Sequence, residues 1–458
     1  MRFLALISFV FALVPPVVSA RQPNVIFVLA DDLGYGDLGC YGQKTLLTPN
    51  LDGMASQGMR FTRHYAGSTV CAPSRCVLLT GKHIGHASVR GNQHGLILDE
   101  EVTIAEMLRD AGYTTGCVGK WGVGNPPPIN DPKRNGFDHF FGYVNMYHAH
   151  NFYPEFIVRQ GKRVALQNVL ADKWKTDQPP GREGRGVAKT KIDYVPNLVA
   201  KEALQFIASN QNKPFFLYYA LNVPHANNEG TREPGVAGME VPTLGKFSNQ
   251  DWPEPEKGFA SMMKNIDDDM GRLFSKLKEL QIDEQTIVFF SSDNGPHEEG
   301  GHKMPFFDSN GKFQGKKRDL YEGGIRVPLI VRWPNKIQQA TVSNHICGFQ
   351  DLMPTLSDLC QANAPKLDGI SFAPTLLKSG KQPKHDHLYW EFSEQGGKQA
   401  VLKDGWKAIR LNWNQNPNGP ISLYKVSGDT PESEDVAEQN QELVAEMREI
   451  MATEHQDN

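Results

Sequence analysis

The chain has 458 residues, of which 39% are hydrophobic and 22% are charged, and it contains 43 glycines and 30 prolines. This composition is typical of a large, loop-rich globular protein with a substantial core, and it argues against intrinsic disorder. The formal net charge is -4 and no long run of Lys and Arg occurs. The sequence therefore gives no indication of nucleic-acid binding.

Residues 1–20 have the pattern of a secretory signal peptide. Arg2 precedes an apolar run over residues 3–14, and Val18-Ser19-Ala20 offers a small-residue cleavage site. The run is too short to span a bilayer, and two prolines at 15 and 16 interrupt it. We therefore expect an exported protein, periplasmic or secreted, with no stable membrane span.

Four apolar runs have the composition of strands that are buried on both faces of a parallel sheet. They cover residues 24–30, 113–118, 214–221 and 286–290, and the polar residues that follow them are Asp31-Asp32, Gly119-Lys120, His225 and Asp293-Asn294-Gly295. Active sites of parallel α/β sheets lie beyond the carboxyl ends of the strands, so we expect these polar side chains to share one pocket. The pattern predicts an α/β fold with a large, mixed but mostly parallel sheet between helices.

The pattern changes near residue 380. Short strands are predicted at residues 387–391, 400–403 and 406–412, followed by an amphipathic helix over residues 432–454. We therefore predict a signal peptide at 1–20, a main domain at 21–380 and a small α+β domain at 381–458. Within the main domain, residues 122–196 and 226–258 are predicted to be long loops, and Thr103 with Glu106 predicts a capped helix over residues 103–111.

Asp31 and Asp32 end one predicted strand, and Asp293 and Asn294 end another. These side chains offer only oxygen donors, which favour Ca²⁺, or less so Mg²⁺, over zinc. Taken separately, the two pairs are better explained as a solvated strand end and a plain turn. Because both follow buried strands, together they favour a divalent metal site.

The segment CAPSRCVLLTG at residues 71–81 predicts a short helix with Pro73 in its first turn and Gly81 as its stop. Cys71 would lie at the helix N-terminus, where free N–H groups and the dipole favour anions. Two interpretations stay open, a low-pKa thiolate nucleophile and a buried structural cysteine. The six cysteines of the chain are too few for a disulfide scaffold, and their pairing cannot be deduced.

The same segment resembles the signature of the type I sulfatases of the alkaline phosphatase superfamily: Cys or Ser, any residue, Pro-Ser-Arg, three residues, then Leu-Thr-Gly. Other blocks resemble the family in the same order, at residues 24–39, 119–122, 136–138, 223–225, 292–295 and 317–328. The resemblance implies an alkaline-phosphatase-like fold and the hydrolysis of sulfate esters. It also implies that a formylglycine-generating enzyme oxidises Cys71 to formylglycine, whose hydrate attacks sulfur and later expels sulfate.

By the same resemblance, a divalent cation, usually Ca²⁺, is bound by Asp31, Asp32, Asp293 and Asn294, and the formylglycine from Cys71 completes the site. This set includes the residues that the strand ends already indicated.

The resemblance also implies roles for four basic residues. Lys120 and Lys317 hold the sulfate oxygens, Arg75 holds the hydrated aldehyde, and His225 donates a proton to the leaving alcohol or contacts the bridging oxygen. Without the resemblance, the better interpretation of Lys120 is a surface lysine at a strand end, of Lys317 a member of a solvated charge run, and of His225 a turn histidine.

Lys317 has a close competitor in its neighbour Lys316. We prefer Lys317 because it stands four residues before Tyr321, as the family pattern requires.

The chain departs from the family at one position. Many sulfatases have Gly-Lys-Trp-His, whereas this sequence has Gly122 in place of the histidine that usually assists the hydrated aldehyde. Either that contribution is lost, or another histidine makes it, and the candidates are His148, His150 and His297.

The loop at residues 145–154 (NMYHAHNFYP) combines His148 and His150 with aromatic residues, and Arg90 follows the signature helix. We predict that these three residues line a substrate cleft, and the alternative is a loop packed by its own aromatic side chains. The expected substrate is a sulfated carbohydrate, as in exported bacterial sulfatases that the chain resembles. Small aryl sulfates are expected to react as well, because the chemistry needs only a leaving oxygen.

Two other functions compete with this one. Phosphonate or phosphate ester hydrolases share the metal site, but a phosphate monoester carries about two negative charges and a sulfate monoester one. A pocket with two lysines and one cation suits the sulfate ester. The second competitor is a non-catalytic protein that binds sulfated glycans with Cys71 unmodified, an alternative that the altered residue Gly122 supports.

Overall fold

In the computed structural model, which describes residues 22–92, 95–123, 132–427 and 431–456, one sheet of eleven strands forms the centre of the molecule. The predicted signal peptide lies outside these residues. The strands within the described ranges are β1 (Asn24–Ala30), β2 (Met59–Tyr65), β3 (Thr114–Lys120), β4 (His139–Tyr143), β5 (Phe156–Arg159), β6 (Lys162–Ala165), β7 (Val169–Leu170), β8 (Ala188–Thr190), β9 (Phe215–Ala220), β10 (Thr286–Ser292), β11 (Arg326–Arg332), β12 (Thr341–Ser343), β13 (Cys347–Gly348), β14 (Leu388–Phe392), β15 (Lys398–Lys403), β16 (Trp406–Leu411) and β17 (Ile421–Lys425).

Helices cover both faces of this sheet. Those in the described ranges are α1 (Pro49–Ser56), α2 (Cys71–Thr80), α3 (Ile104–Asp110), α4 (Met146–Ala149), α5 (Asp172–Thr176), α6 (Val195–Asn210), α7 (Glu254–Glu279), α8 (Met304–Phe307), α9 (Glu322–Ile325), α10 (Leu352–Cys360), α11 (Ala373–Leu377) and α12 (Gln441–Thr453).

The sheet order is β12-β2-β11-β10-β1-β9-β3-β4-β5-β6, with β13 also paired to β2. The five central strands from β10 to β4 are parallel to one another, while β11 and β5 run antiparallel to their inner neighbours. In the centre, Ala30 pairs with Ser292, and Leu29 and Gly119 both pair with Ala220. The carboxyl ends of these strands therefore lie along one edge, and the predicted fold class is confirmed.

Strand β1 is apolar throughout because both of its faces are covered. Val25, Phe27 and Leu29 belong to one buried apolar cluster, whereas Ile26 and Val28 belong to a second one. Alternating side chains of a strand point to opposite faces, so each face of the sheet has its own core. This burial is the reason that the run was recognisable in the sequence.

Two local predictions need correction. The interval at residues 122–196 contains the strands β4 to β8 and the short helices α4 and α5 as well as loops. Within it, His139–Tyr143 adds a parallel strand to β3. The C-terminal helix begins at Gln441 and not at 432. Before it, Asp435 accepts hydrogen bonds from the N–H groups of Leu423 and Ala437, which ties this segment to β17.

The strands β14 to β17 form a separate antiparallel sheet, as predicted for the C-terminal region. This sheet shares a continuous apolar core with the large one, and the Trp390 indole donates a hydrogen bond to the carbonyl of Ala66 at 2.9 Å. Lys407 lies between the buried carboxylates of Glu322 and Glu432, at 3.0 and 3.1 Å. The domain boundary near residue 380 stays a prediction.

All six cysteines lie in the part of the chain that the structure describes, and each is a free thiol. Among the described residues, no helix has the length and apolar character needed to cross a membrane.

Candidate active site

The residues that follow β1 and β10 are joined by hydrogen bonds beyond the end of the sheet. The N–H of Asp32 donates to Oδ1 of Asp293 at 3.0 Å, and Nδ2 of Asn294 donates to Oδ1 of Asp32 at 2.7 Å. Asp32 has a φ of 64°, a left-handed conformation that non-glycine residues adopt infrequently. Strand ends that are about 260 positions apart in the sequence thus form one buried polar cluster.

Cys71 is the first residue of α2, which ends at Gly81 with a φ of 68°, as predicted. Its sulfur lies within 4.8 Å of carboxylate oxygens of Asp31 and Asp293. Burial, and next to it the charge of Asp31, raises the pKa of the Cys71 thiol. Burial therefore disfavours the thiolate form that a low-pKa nucleophile would need.

Arg75, one turn further along α2, is fully buried and holds the carboxylates in place. Its guanidinium lies 2.8 Å from Oδ2 of Asp293 and 3.6 Å from Oδ1 of Asp31, and Nη1 donates to the carbonyl of Lys120 at 2.6 Å. A planar group with several fixed donors suits this position between two carboxylates.

Two lysines carry positive charge into the cluster. Nζ of Lys120 donates to both oxygens of Asp31, at 2.9 and 2.7 Å. Nζ of Lys317 lies 2.7 Å from Oδ2 of Asp32, 3.1 Å from Oε2 of Glu299 and 3.0 Å from Nε2 of His225. Both ammonium groups are buried, so their charges are weakly screened.

His225 is oriented by its neighbours. The distance of 2.7 Å from Nδ1 to the carbonyl of Ala226 assigns the proton to Nδ1, and Nε2 then accepts a hydrogen bond from Lys317. Burial and the charge of Lys317 lower the pKa of His225 to about 3, so that the ring is neutral.

The donor chemistry of the cluster fits a hard divalent cation. Burial, reinforced by the charge of Asp31, raises the pKa of Asp293 to about 7, as expected for carboxylates that repel each other in the protein interior. Oδ1 of Asn294 is buried and accepts no hydrogen bond from any described residue. Carboxylate and amide oxygens such as these are the ligands that Ca²⁺ and Mg²⁺ prefer.

The predicted substrate residues separate into two groups. His150 joins the site, because its ring stacks on His225 at 4.8 Å and its Nδ1 lies 3.3 Å from Oε2 of Glu229. His148 does not, because its Nε2 lies 2.9 Å from the carbonyl of Phe156 and its contacts are with neighbouring aromatic rings.

Arg90 pairs with Glu391 at 3.3 Å, at the border with the C-terminal sheet. Its neighbour Asn92 reaches the start of α2, where Oδ1 accepts a hydrogen bond from the N–H of Ala72 at 3.2 Å and lies 3.9 Å from the sulfur of Cys71.

The position of the missing family histidine borders the cluster. Gly122 has a φ of 67°, and a Cβ there would lie 3.2 Å from Cε of Lys120 and 3.4 Å from Cδ of Arg75. Of the other candidates, His297 contacts the carbonyl of Pro224 and lies 5.8 Å from the ring of His225.

Glu299 belongs to the cluster, although no sequence pattern pointed to it. It contacts Lys317 and lies 3.5 Å from Nε2 of His225, whereas its neighbour Glu298 pairs with Lys316. The only signal was its place in the loop between Asp293 and Lys317, and loop spacing does not tell which of two adjacent glutamates faces the site.

The chain is similar to known sulfatases over most of its length. A sulfatase family model matches residues 23–362, and a model for the C-terminal part of N-sulphoglucosamine sulphohydrolase matches residues 311–457. Arylsulfatase A of Homo sapiens is 34% identical over 426 residues, which cover 88% of this chain and 77% of that protein. N-acetylgalactosamine-6-sulfatase of Canis lupus familiaris is 33% identical over 381 residues, or 78% of this chain and 66% of that protein.

Among solved structures, Ps i-CgsB in complex with k-i-k-neocarrahexaose has a TM-score of 0.77 and 27% identity, and the match covers 95% of this chain and 93% of that one. The family model covers well over half of the chain, and the relatives match most of it. The chain therefore belongs to the sulfatase family, within the alkaline phosphatase superfamily, and is a sulfatase enzyme.

Proposed function

We propose that this sulfatase is exported and releases sulfate from a sulfated carbohydrate. In this proposal Asp31, Asp32, Asp293 and Asn294 hold a divalent cation, with Ca²⁺ preferred over Mg²⁺, and Cys71 is the precursor of formylglycine. The main support is that Cys71 lies within 4.8 Å of carboxylate oxygens from two different strand ends. A residue destined to face both a cation and a sulfate ester must occupy such a position.

The cation and the formylglycine would supply complementary chemistry. The cation would stabilise negative charge on the sulfate oxygens. The hydrated formylglycine would supply an oxygen nucleophile and a route for releasing sulfate afterwards. Arg75 fixes the orientation of Asp31 and Asp293, and Lys120 and Lys317 place positive charge beside them. Because these groups are buried and already hydrogen-bonded, little reorganisation is needed when charge develops on the substrate.

We assign Lys317 and His225 to the leaving oxygen. The neutral ring of His225 accepts a hydrogen bond at Nε2 from the ammonium of Lys317 and so holds Nζ in place, and Nζ can donate a proton directly to the departing alkoxide. Lys317 then becomes neutral and the alcohol leaves protonated. Stacking of His150 on His225 keeps the acceptor ring in this orientation.

A carbohydrate is the favoured substrate class. One structural neighbour was solved in complex with k-i-k-neocarrahexaose, and several relatives are named N-acetylgalactosamine-6-sulfatase. Aryl sulfates are expected to react more slowly, because they offer no sugar hydroxyls to the surrounding loops.

The test uses the full chain expressed with a formylglycine-generating enzyme. The mass of the peptide that contains residue 71 reports conversion, and sulfate release is measured with nitrophenyl sulfate and sulfated oligosaccharides. Cys71→Ala is the inactive control. Conversion without release from any sulfate ester would overturn the proposal, and so would faster cleavage of the matching phosphate or phosphonate ester. Unmodified Cys71 in a protein that still binds sulfated glycans would support the non-catalytic alternative.

A further inference from the structure

Arg318 has an unfavourable backbone conformation for its residue type. Residues 316–319 form a β-turn, in which the N–H of Asp319 donates to the carbonyl of Lys316 at 2.8 Å. Arg318 is the third residue of this turn and has a φ of 79°, the largest positive value among the non-glycine residues that the structure describes. That turn position normally takes glycine, and other residues there store strain. A strained arginine where glycine would fit freely indicates a role for its side chain.

The side chain of Arg318 ends a row of alternating charges that leads from the catalytic cluster to the surface. Asp32 contacts Lys317 at 2.7 Å, Lys317 contacts Glu299 at 3.1 Å, and Glu299 contacts Arg318 at 2.7 Å. The exposed fraction of the side chain rises along the row: it is 0% for Asp32, 2% for Lys317, 16% for Glu299 and 33% for Arg318. Arg318 is therefore the most exposed charged side chain of this row.

The net charge of the site favours the binding of a second anionic group. The four carboxylates of the cluster are balanced by four cationic side chains; they are Asp31, Asp32, Asp293 and Glu299, and Arg75, Lys120, Lys317 and Arg318. A bound divalent cation would add two positive charges, whereas a sulfate monoester brings only one negative charge. One more anionic group on the substrate would complete the balance.

We propose that Arg318 determines specificity by binding a second anionic group of the substrate, a sulfate or a carboxylate, next to the sulfate ester that is hydrolysed. The inference rests on the proposed function. The planar fork of an arginine binds either oxyanion through two parallel hydrogen bonds, and the contact with Glu299 fixes the direction of the fork. The adjacent Lys316, which is 40% exposed and pairs with Glu298, provides a matched control.

The test compares the variants R318Q, R318G and K316Q with the parent enzyme. Three substrates are used: a monosulfated sugar, a disulfated sugar, and a sulfated disaccharide that contains a uronate. For R318Q we expect the ratio of kcat/KM for a doubly anionic substrate to that for the monosulfated sugar to fall about tenfold or more, the effect of about one charge-assisted hydrogen bond. K316Q should change this ratio less than twofold. The substrate with the larger loss identifies the second group as sulfate or carboxylate.

R318G separates the side chain from the backbone. It should lose the same discrimination while its Tm is equal to or higher than that of the parent, because glycine tolerates the positive φ. Calorimetry also measures binding without turnover, with the disulfated sugar and the Cys71→Ala protein in the presence of Ca²⁺. The same protein with the additional change R318Q should bind this sugar about tenfold more weakly.

Equal losses of kcat/KM on all substrates would overturn the proposal, since they would mean that Arg318 only braces Glu299 and Lys317. An unchanged ratio for R318Q would overturn it as well. Failure of the proposed function has a different result: the parent enzyme with confirmed formylglycine releases no sulfate from any substrate. The role of Arg318 is then still tested by binding, because Cys71→Ala should bind the disulfated sugar about tenfold more tightly than Cys71→Ala with R318Q.

Discussion

Replacing Lys317 by methionine removes one positive charge from the proposed sulfate pocket while it preserves most of the side-chain volume. The matched control is Lys316→Met, which changes the adjacent lysine. The two ammonium groups have different surroundings, because Lys317 is 2% exposed and contacts Asp32, whereas Lys316 is 40% exposed and pairs with Glu298.

The size of the effect follows from this burial. An ammonium about 4 Å from a sulfate oxygen contributes about 4 kcal/mol at an effective dielectric constant of about 20, equivalent to roughly 10³-fold in rate. Part of that attraction already acts on the bound substrate and does not lower the barrier. We therefore expect Lys317→Met to lower kcat/KM by about 10²–10³-fold, and Lys316→Met by less than about twofold because solvent screens an exposed pair.

The assay is hydrolysis of nitrophenyl sulfate by protein whose formylglycine content has been measured by peptide mass. Tm is measured in parallel, because Lys317→Met also removes a partner from Asp32 and Glu299. Retention of more than a tenth of the parent activity by a folded, converted Lys317→Met protein would refute the reasoning. A loss in Lys316→Met equal to that in Lys317→Met would do so too.

Three further predictions concern stability. Chelation with EGTA should lower Tm, and Ca²⁺ at about 100 times its Kd should restore about 2.7 kcal/mol while Mg²⁺ restores less; an unchanged Tm would contradict the metal site. Lys407→Met should cost about 3–5 kcal/mol in urea unfolding, since the buried Glu322 and Glu432 lose their shared cation; a cost below about 1 kcal/mol would be inconsistent with that pairing. Burial lowers the pKa of His64 to about 3, below its ordinary 6.5, so only the unfolded state takes up this proton. The free energy of unfolding should therefore decrease as the pH is lowered from 6.5 to 3, by up to about 1.4 kcal/mol per pH unit. His64→Gln should make this dependence on pH weaker.

Much of the site could be predicted because its residues follow recognisable local patterns. Strand β1 is apolar on both faces, so its end and the following Asp31 were visible in the sequence. The helix Cys71–Thr80 is followed by its own stop signal, Gly81, and the structure has both at the predicted residues. These features depend on contacts within a few residues or on the burial of a whole strand, and both leave a pattern in the sequence.

What the sequence by itself determined is the α/β class, the central strands and the polar residues at their ends. Only the tertiary structure decided that Glu299 faces the site and Glu298 does not, or that His150 stacks on His225 while His148 lies among aromatic rings. The physical reason is that loop side chains have no periodicity. Their direction is set by partners far away in the chain, such as Lys317 for Glu299, and that pairing exists only after the sheet has brought the loops together.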